Sequence, residues 1–227
     1  GSLEQVVFRM DALGQLAAAG RMVLNPPRAV EAAVDKFLTT AKLHAAGLLV
    51  PRTVVCQTRD AALAAFHELG QDVVVKPLFG AEGRGMTRLS EEGLAERAFQ
   101  LLAQLGAAIY VQEFVPHQGY DVRVLTIGQR AWAMRRINPG DWRTNISRGA
   151  RAEPFELTSE LSDMAHRAAS AVGAPIAGVD LLPGRDGRWY AIEVNAVPGW
   201  QALSRTLSVD IAAEVLRYTA SEVRCHG

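Results

Sequence analysis

The sequence predicts an α+β fold. Two strand pairs, each closed by a turn, carry that reading: Tyr120 to Ile127 with Arg130 to Ile137 around Gly128-Gln129, and Ile176 to Leu182 with Arg188 to Val194 around Pro183-Gly184-Arg185-Asp186-Gly187. Both have the spacing of antiparallel hairpins. The third observation is that strand and helix do not alternate regularly, as a parallel sheet with its crossover helices would require.

In chain order, the first strong helical signal follows Asn25-Pro26-Pro27. There Val30, Val34, Phe37 and Ala41 recur at helical spacing, the prolines suit a start, and Gly47 with Pro51 mark the end. Asp35 and Lys36 fall off that apolar stripe. Helices are expected over Thr58 to Leu69 and Ser90 to Leu105, the second with Glu91 and Glu92 in the first turn, where the helix dipole favours acids, and Gly106 as its stop. Val73-Val74-Val75-Lys76 between them reads as a short β-branched strand. Ile109 to Val115 opens the strand-rich half. A polar, arginine-rich loop follows Ile137, a helix fits Ser159 to Val172, and an amphipathic helix closes near Asp210 to Tyr218.

The 227 residues suit one large domain or two small ones. A chain of this size needs neither disulfides nor a structural metal to hold a core. Its 24 basic and 24 acidic residues balance, which argues against a nucleic-acid-wrapping or polybasic membrane-binding protein. Any phosphate must therefore be met locally. Two cysteines, Cys56 and Cys225, are too few for a disulfide framework or a four-cysteine zinc site and predict a reducing, cytoplasmic setting. The longest apolar run, Ala61 to Phe66, is far short of a membrane span, and no basic-then-apolar leader opens the chain. The chain begins Gly1-Ser2 rather than with methionine, and an upstream segment is expected.

Several chemistries are excluded by pattern. Lys36, Lys42 and Lys76 are the only lysines and none follows a glycine, so there is no Walker A loop. His67-Glu68-Leu69-Gly70-Gln71 lacks the second histidine of a zinc protease, and no G-x-S-x-G elbow occurs. What remains is a different constellation. Gly80, Gly83 and Gly85 form a loop directly after the Lys76 strand, where backbone N–H groups can approach a phosphate. Glu193 and Asn195 share one face of their strand, and a hairpin register of odd residue sum adds Asp180. Carboxylates gathered among Val, Ile and Leu are costly without a cation, and oxygen donors suit Mg²⁺ or Mn²⁺. Arg135, Arg136, Arg143, Arg148 and Arg151 bracket Asn145, enough positive charge for an anionic acceptor or a transferring phosphoryl group. An ordinary hairpin turn at the glycines, a solvated hairpin face for the acids and a merely basic loop are the alternatives.

These residues give the chain its resemblance to the ATP-grasp superfamily, and within it to the RimK-like α-L-glutamate ligases. The match runs from about Asn25 to Tyr218. It takes in Asp35-Lys36, Val75-Lys76-Pro77 before the glycine loop, Gln112-Glu113-Phe114-Val115 then Asp121-x-Arg123, and Arg135-Arg136. It continues through Asp141-x-Arg143-Thr144-Asn145-x-x-Arg148-Gly149, Gly178-Val179-Asp180 and Glu193-Val194-Asn195-Ala196-x-Pro198-Gly199.

The resemblance implies an ATP-grasp fold of two α+β subdomains with ATP between them. Residues 1–50 would lead into the fold, 51–117 would form the central nucleotide-covering subdomain, and 118–227 the carboxy-terminal subdomain with the metal site. Lys36 and Lys76 would contact phosphates, Gln112, Glu113, Phe114 and Val115 would form the adenine-binding hinge, and Asp121 would meet the ribose. Arg143 and Asn145 would help bind the nucleotide. Asp180, Glu193 and Asn195 would hold two Mg²⁺ or Mn²⁺ ions, and Arg136 and Arg148 would be catalytic, stabilising the transferring phosphoryl group.

The implied reaction joins a carboxylate acceptor, a protein tail or a small cofactor such as a pterin, to a glutamate-like amine through an acyl phosphate. Neither nucleic acid nor membrane is implied as a partner, and a homo-oligomer is compatible with the pattern. Relatives carry an amino-terminal lobe ahead of the position matching Asn25, where this sequence has only a short leading segment. A non-catalytic ATP-binding module and a plain interaction domain are the competing readings.

Overall fold

The computed structural model describes residues 3–80 and 83–226, without the side chains of Leu3, Arg148, Cys225 and His226. Antiparallel strands build two sheets. The smaller contains β1 (Thr53–Cys56), β2 (Val73–Lys76), β3 (Thr87–Leu89) and β4 (Ile109–Glu113) in the order β1-β4-β2-β3. The larger contains β5 (Tyr120–Ile127), β6 (Arg130–Ile137), β7 (Arg151–Pro154), β8 (Ile176–Pro183) and β9 (Trp189–Asn195) in the order β7-β6-β5-β8-β9. The fold is α+β, as the hairpin spacings require.

Helices supply the apolar cover. Against one face of the small sheet, α4 (Arg59–Glu68) and α5 (Glu92–Gln104) press Phe66 and Phe99 onto Val73, Val75, Ile109 and Val111. One face of the large sheet, with Val122, Val124, Val179, Leu181 and Val194, is covered by α2 (Pro27–Val34) and α6 (Ser159–Val172) through Ala29, Ala32, Ala165 and Ala168. Alanine on the helices against valine and leucine on the strands allows close approach at native packing density. The opposite face splits in two. Its lower part, Leu125, Ile127, Met134 and Ile176, is closed by Leu203 and Ile211 from α7 (Gln201–Leu207) and α8 (Ile211–His226). Its upper part carries charged side chains and forms a wall of the cleft.

Several elements differ from the sequence reading. The helix expected from Pro27 to Gly47 is two, because Asp35 takes an extended conformation and accepts the Leu38 N–H at 3.0 Å, capping α3 (Lys36–Ala45). That break puts Lys36 at the first position of a new helix. The amino-terminal α1 (Leu3–Ala18), β1, β3, β7 and α7 were not anticipated, and α8 runs past Tyr218. β1, β3 and β7 are edge strands of three or four residues. In β7 the residues Arg151, Ala152, Glu153 and Pro154 place charge and proline on an exposed edge, which blunts pairing with other chains and also hides the strand signal.

The register brings the candidate side chains together. Asp180 pairs with Glu193 and Gly178 with Asn195, the odd sum that brings all three oxygen-bearing residues to one face. Arg123 of β5 lies opposite Asp180 on its other side. Below Asp180 a bulge shifts the register so that Leu181 faces Ala191, leaving Ile192 extra, and Ile192 and Glu193 both line the cleft. The Gly128-Gln129 turn closes β5 onto β6 as expected. Gly128 is required there twice over: its φ is +55°, and a Cβ would stand 2.7 Å from the Tyr218 ring.

Candidate active site

The cleft runs between the two sheets and is lined from both of them. On one side stand two lysines. Lys76, at the end of β2, is buried and donates to Gln112 Oε1 at 2.6 Å. Desolvation pulls its pKa down to about 8, against the attraction of Glu193. Lys36, opening α3, donates to the Gly80 carbonyl at 2.7 Å and is likewise lowered by burial, with Glu193 opposing.

The glycine loop is shaped by what it packs on. Gly83 has φ +67°, and a Cβ there would come within 2.4 Å of Asn145 Oδ1; at Gly85, φ +72°, one would meet Pro77 Cγ at 2.8 Å. Residues 81 and 82 of this loop lie outside the described residues. Asn145 thus supports the loop from the other sheet's side. Arg143 lines the cleft and is bidentate on Asp141, with Nη2 to Oδ2 at 2.7 Å. The Arg148 side chain lies outside the described residues.

The opposite wall is a buried ion network. Arg123 meets Asp180 through two parallel bonds of 2.7 Å, and Arg136 Nη2 adds a third contact at 2.9 Å. The Arg136 Nε bonds Asp121 Oδ1 at 2.8 Å, and its Nη2 also bonds Asp121 Oδ2. Burial alone would push Asp180 up, but the two guanidiniums outweigh it and hold the carboxyl at about 2. Asp121 stays above its ordinary value because desolvation exceeds what Arg136 returns. Arg136 itself loses by desolvation but gains more from Asp180 and Asp121, so its pKa is raised.

Asp121 and Arg136, expected at the ribose and the transferring phosphoryl group, both line the cleft and are bonded to each other; Arg136 is 3% exposed, with its Nε and Nη2 on aspartates. The burial of both partners between two sheets enforces that pairing, since an unpaired charge there would be costly.

Glu193 is different. Desolvation raises its pKa, Asp180 adds to the rise, and Lys36, Lys76 and Arg123 pull the other way without cancelling it. No hydrogen bond or ion pair reaches its carboxylate among the described residues. A desolvated carboxylate without a partner, beside a second one locked in place, fits a divalent cation. The donors available are two carboxylates and the Asn195 amide; among the described residues no group of three His, Cys, Asp or Glu side chains makes a self-sufficient metal cage. Such a set matches Mg²⁺, which binds through one or two carboxylates and completes its shell with phosphates and water. Asn195 lies beyond the cleft lining, and its Oδ1 accepts the Val197 N–H at 2.9 Å.

The segment after β4 has a distinct backbone. The Glu113 N–H donates to Arg52 O at 2.9 Å and the Phe114 N–H to Asp72 O at 2.8 Å, while Val115, which lines the cleft, has an N–H with no acceptor among the described residues. The Glu113 carboxylate is turned to Arg52, and the Phe114 ring is covered by Arg88 at 3.5 Å. The Gln112 side chain does not extend to the hinge. It is buried, taken up by Lys76 on one side and by Thr53 Oγ1 and Tyr110 OH on the other.

Arg123, Tyr110, Ile192 and Leu182 are among the site residues that sequence reasoning gave no role. Arg123 was within reach, since it is two residues from Asp121 on one strand and must share its face. Ile192 was not, because only the bulge turns it inward.

Comparison with known proteins agrees with this geometry. Residues 33–219 match the RimK-like ATP-grasp domain. The tetrahydromethanopterin:α-L-glutamate ligase of Methanosarcina acetivorans is 31% identical, covering 96% of this chain and 76% of that protein. The ribosomal protein bS6–L-glutamate ligase of Escherichia coli is 32% identical over 91% of this chain and 70% of its own length. Among solved structures, the ATP-grasp ligase PsnB with a variant of its minimal precursor, Mg and ADP superposes with a TM-score of 0.75 at 28% identity, covering 97% of this chain and 69% of that one. D-Alanine–D-alanine ligase from Bacillus anthracis, complexed with ATP, shares the fold at a TM-score of 0.74 and 17% identity, over 95% of this chain and 75% of that one. The chain is an ATP-dependent ligase that forms C–N bonds, and it belongs to the RimK-like ATP-grasp family.

Proposed function

We propose that this ligase adds glutamate to a carboxylate-bearing small cofactor of the reduced-pterin type, with residues 51–117 covering the nucleotide and residues 118–227 carrying the metal. The observation that carries the reading is the opposition of charges across one cleft: Lys36 and Lys76 on one side and Glu193 on the other, near enough to shift one another's ionisation. A phosphate chain fits the first and a cation the second. The names of the relatives support the amino acid and the acceptor class, three of them being tetrahydromethanopterin:α-L-glutamate ligases.

In this reading the unpartnered Val115 N–H meets the adenine edge, and Ile192 with Leu182 forms an apolar floor beneath the base. The phosphates run toward Lys36, Lys76 and the glycine loop, with Arg143 and Asn145 bordering them. Asp180, Glu193 and Asn195 would hold the Mg²⁺ ions, which when bound neutralise phosphate charge. The acceptor carboxylate attacks the γ-phosphorus, the bond to ADP breaks, and an acyl phosphate forms. The glutamate α-amine then attacks the acyl carbon, phosphate leaves, and an amide is made. No protein nucleophile is required, so the side chains align, stabilise charge and keep out water that would hydrolyse the intermediate. Arg148 is assigned to the transferring phosphoryl group, and Arg136 to fixing Asp180.

The test is product analysis. The enzyme is offered ATP, Mg²⁺ and glutamate with a reduced pterin bearing a free carboxylate, or with peptides ending in glutamate, and products are weighed by mass spectrometry. The expected result is ADP formation that requires both Mg²⁺ and the acceptor, with the pterin gaining one glutamyl unit. Gain on the peptide alone would move the acceptor to protein tails. Tight nucleotide binding with no ADP formed from any acceptor would replace catalysis by a nucleotide-sensing role.

A further inference from the structure

Lys76 is held by a chain of neutral hydrogen bonds that ends on the helix carrying Lys36. Its ammonium donates to Gln112 Oε1 at 2.6 Å and lies 5.9 Å from the centre of the Tyr110 ring. The Gln112 amide nitrogen donates to Thr53 Oγ1 at 2.8 Å and to Tyr110 OH at 3.1 Å. The Tyr110 hydroxyl is 2.8 Å from Thr40 Oγ1. Thr40 stands one helical turn after Lys36 on α3, on the same helix face. Lys36 in turn reaches Gly80, in the loop that leaves β2 after Lys76. Two side-chain ties therefore join α3 to the small sheet and the loop leaving it, one beneath each lysine, and the Lys36 N–H adds a backbone bond to Leu78 O at 3.3 Å.

We propose that Gln112 is a positioning residue for Lys76, and that with Tyr110 and Thr40 it sets the two lysines against the triphosphate as one unit. The inference rests on the reading that Lys76 binds phosphate. The chemistry favours this role over a base contact. Both hydrogens of the Gln112 amide nitrogen are taken within the fold and its oxygen already accepts from Lys76, so the side chain has no donor to turn toward adenine without breaking those bonds. A lysine on a four-carbon stem is otherwise a poorly directed charge, and a single buried acceptor fixes where it points. Glutamine does so without neutralising it, so the positive charge stays available to a phosphate.

The experiment measures ADP and adenosine affinity by calorimetry in the intact protein, for wild type, Gln112→Leu, Gln112→Glu, Lys76→Met and the Gln112→Leu/Lys76→Met double variant. Thermal melts confirm that each is folded. Gln112→Leu is expected to weaken ADP about tenfold or more, the scale of a charge-assisted bond lost, and to leave adenosine within about twofold, since adenosine has base and ribose but no phosphate. In the Lys76→Met background Gln112→Leu is expected to add nothing.

Gln112→Glu, nearly isosteric, keeps the contact but pairs the ammonium, so it is expected to weaken ADP and spare adenosine as well. Parallel loss of adenosine and ADP in Gln112→Leu would return Gln112 to the base-binding hinge and overturn the proposal. Full additivity of the two substitutions would overturn it too. If Lys76→Met alone leaves ADP affinity unchanged, the phosphate reading of Lys76 fails first, and that result is separate from either outcome at Gln112.

Discussion

The two sides of the cleft handle charge in opposite ways. On the lysine side, Lys36 and Lys76 donate to neutral oxygens, the Gly80 carbonyl and the Gln112 amide, so neither ammonium is neutralised by a carboxylate bonded to it. On the carboxylate side, Asp121 and Asp180 are paired with Arg136 and Arg123, which fix Asp180 while leaving it lone pairs, and Glu193 has no hydrogen-bond or ion-pair partner among the described residues. Charges that the fold satisfies internally fix geometry. Those it leaves unsatisfied suit the proposed ligand, phosphate on one side and cation on the other. The desolvation that lowers Lys76 and raises Glu193 is the energetic trace of that division, because each group is least favourably charged when the cleft holds no ligand.

The sharpest way to break this comparison is to remove a charge that it calls structural. Arg136→Met leaves Asp121 and Asp180 facing each other inside the fold. The expected loss is about 3–5 kcal/mol of unfolding free energy by chemical denaturation, the scale for stripping one partner from a buried ion pair. Adding Asp121→Asn should recover part of it, because the two sites share a hydrogen-bond network and their effects do not add. A loss below about 1 kcal/mol would mean that the network is open to solvent and that Arg136 is free to act elsewhere.

Glu193→Gln tests the opposite category. As a residue left unpaired for a ligand, it should matter for turnover and not for the fold. ADP formation is expected to fall on the order of 10²–10³-fold, the cost of deleting one preorganised electrostatic contact at a reacting centre. Stability moves the other way. A carboxyl whose folded pKa lies above its unfolded 4.5 loses stability as pH rises from 4.5 through the folded value, so at pH 7 the wild type carries a penalty that glutamine does not. The ligand-free melting temperature at pH 7 should hold or rise. A marked drop would place Glu193 with the structural carboxylates, and the two sides would then no longer differ in kind.

The same division explains what could be read from the sequence. The α+β class, both hairpins and the Asp180, Glu193, Asn195 face followed from period-two alternation and turn residues, which act locally. The break at Asp35 did not, since the apolar stripe through Val30, Val34, Phe37 and Ala41 continues across it and only the cap on Leu38 reveals two helices. Within the site, residue types were legible and partners were not. Arg136 and Asp121 announce ions, but that they bind each other depends on β5 and β6 lying in a register that pairs them directly. Gln112 likewise looks like part of a hinge until Tyr110, two residues earlier on the same strand, is seen to share its face and its hydrogen bonds. Ligand-facing and fold-facing roles are decided by contacts across sheets, which no local pattern encodes.

The smallest effect bears on the lysine side alone and is read with pH. With its pKa near 8, Lys76 is mostly protonated at neutrality and loses its charge as pH rises, well before an ordinary lysine would. Bound phosphate favours the ammonium, so above pH 8 each binding event takes up a proton, and the affinity for Mg-ADP should fall by up to about tenfold per pH unit. Below pH 8 the curve should be flat in this respect, because the proton is already in place. Lys36 is lowered as well, so Lys76→Met should flatten the curve without levelling it. Calorimetry in two buffers of different ionisation enthalpy counts the protons directly. Proton uptake that is equal in Lys76→Met and wild type would mean that the buried ammonium never meets the phosphates, and the charge left over on this side of the cleft would have to answer to some other group.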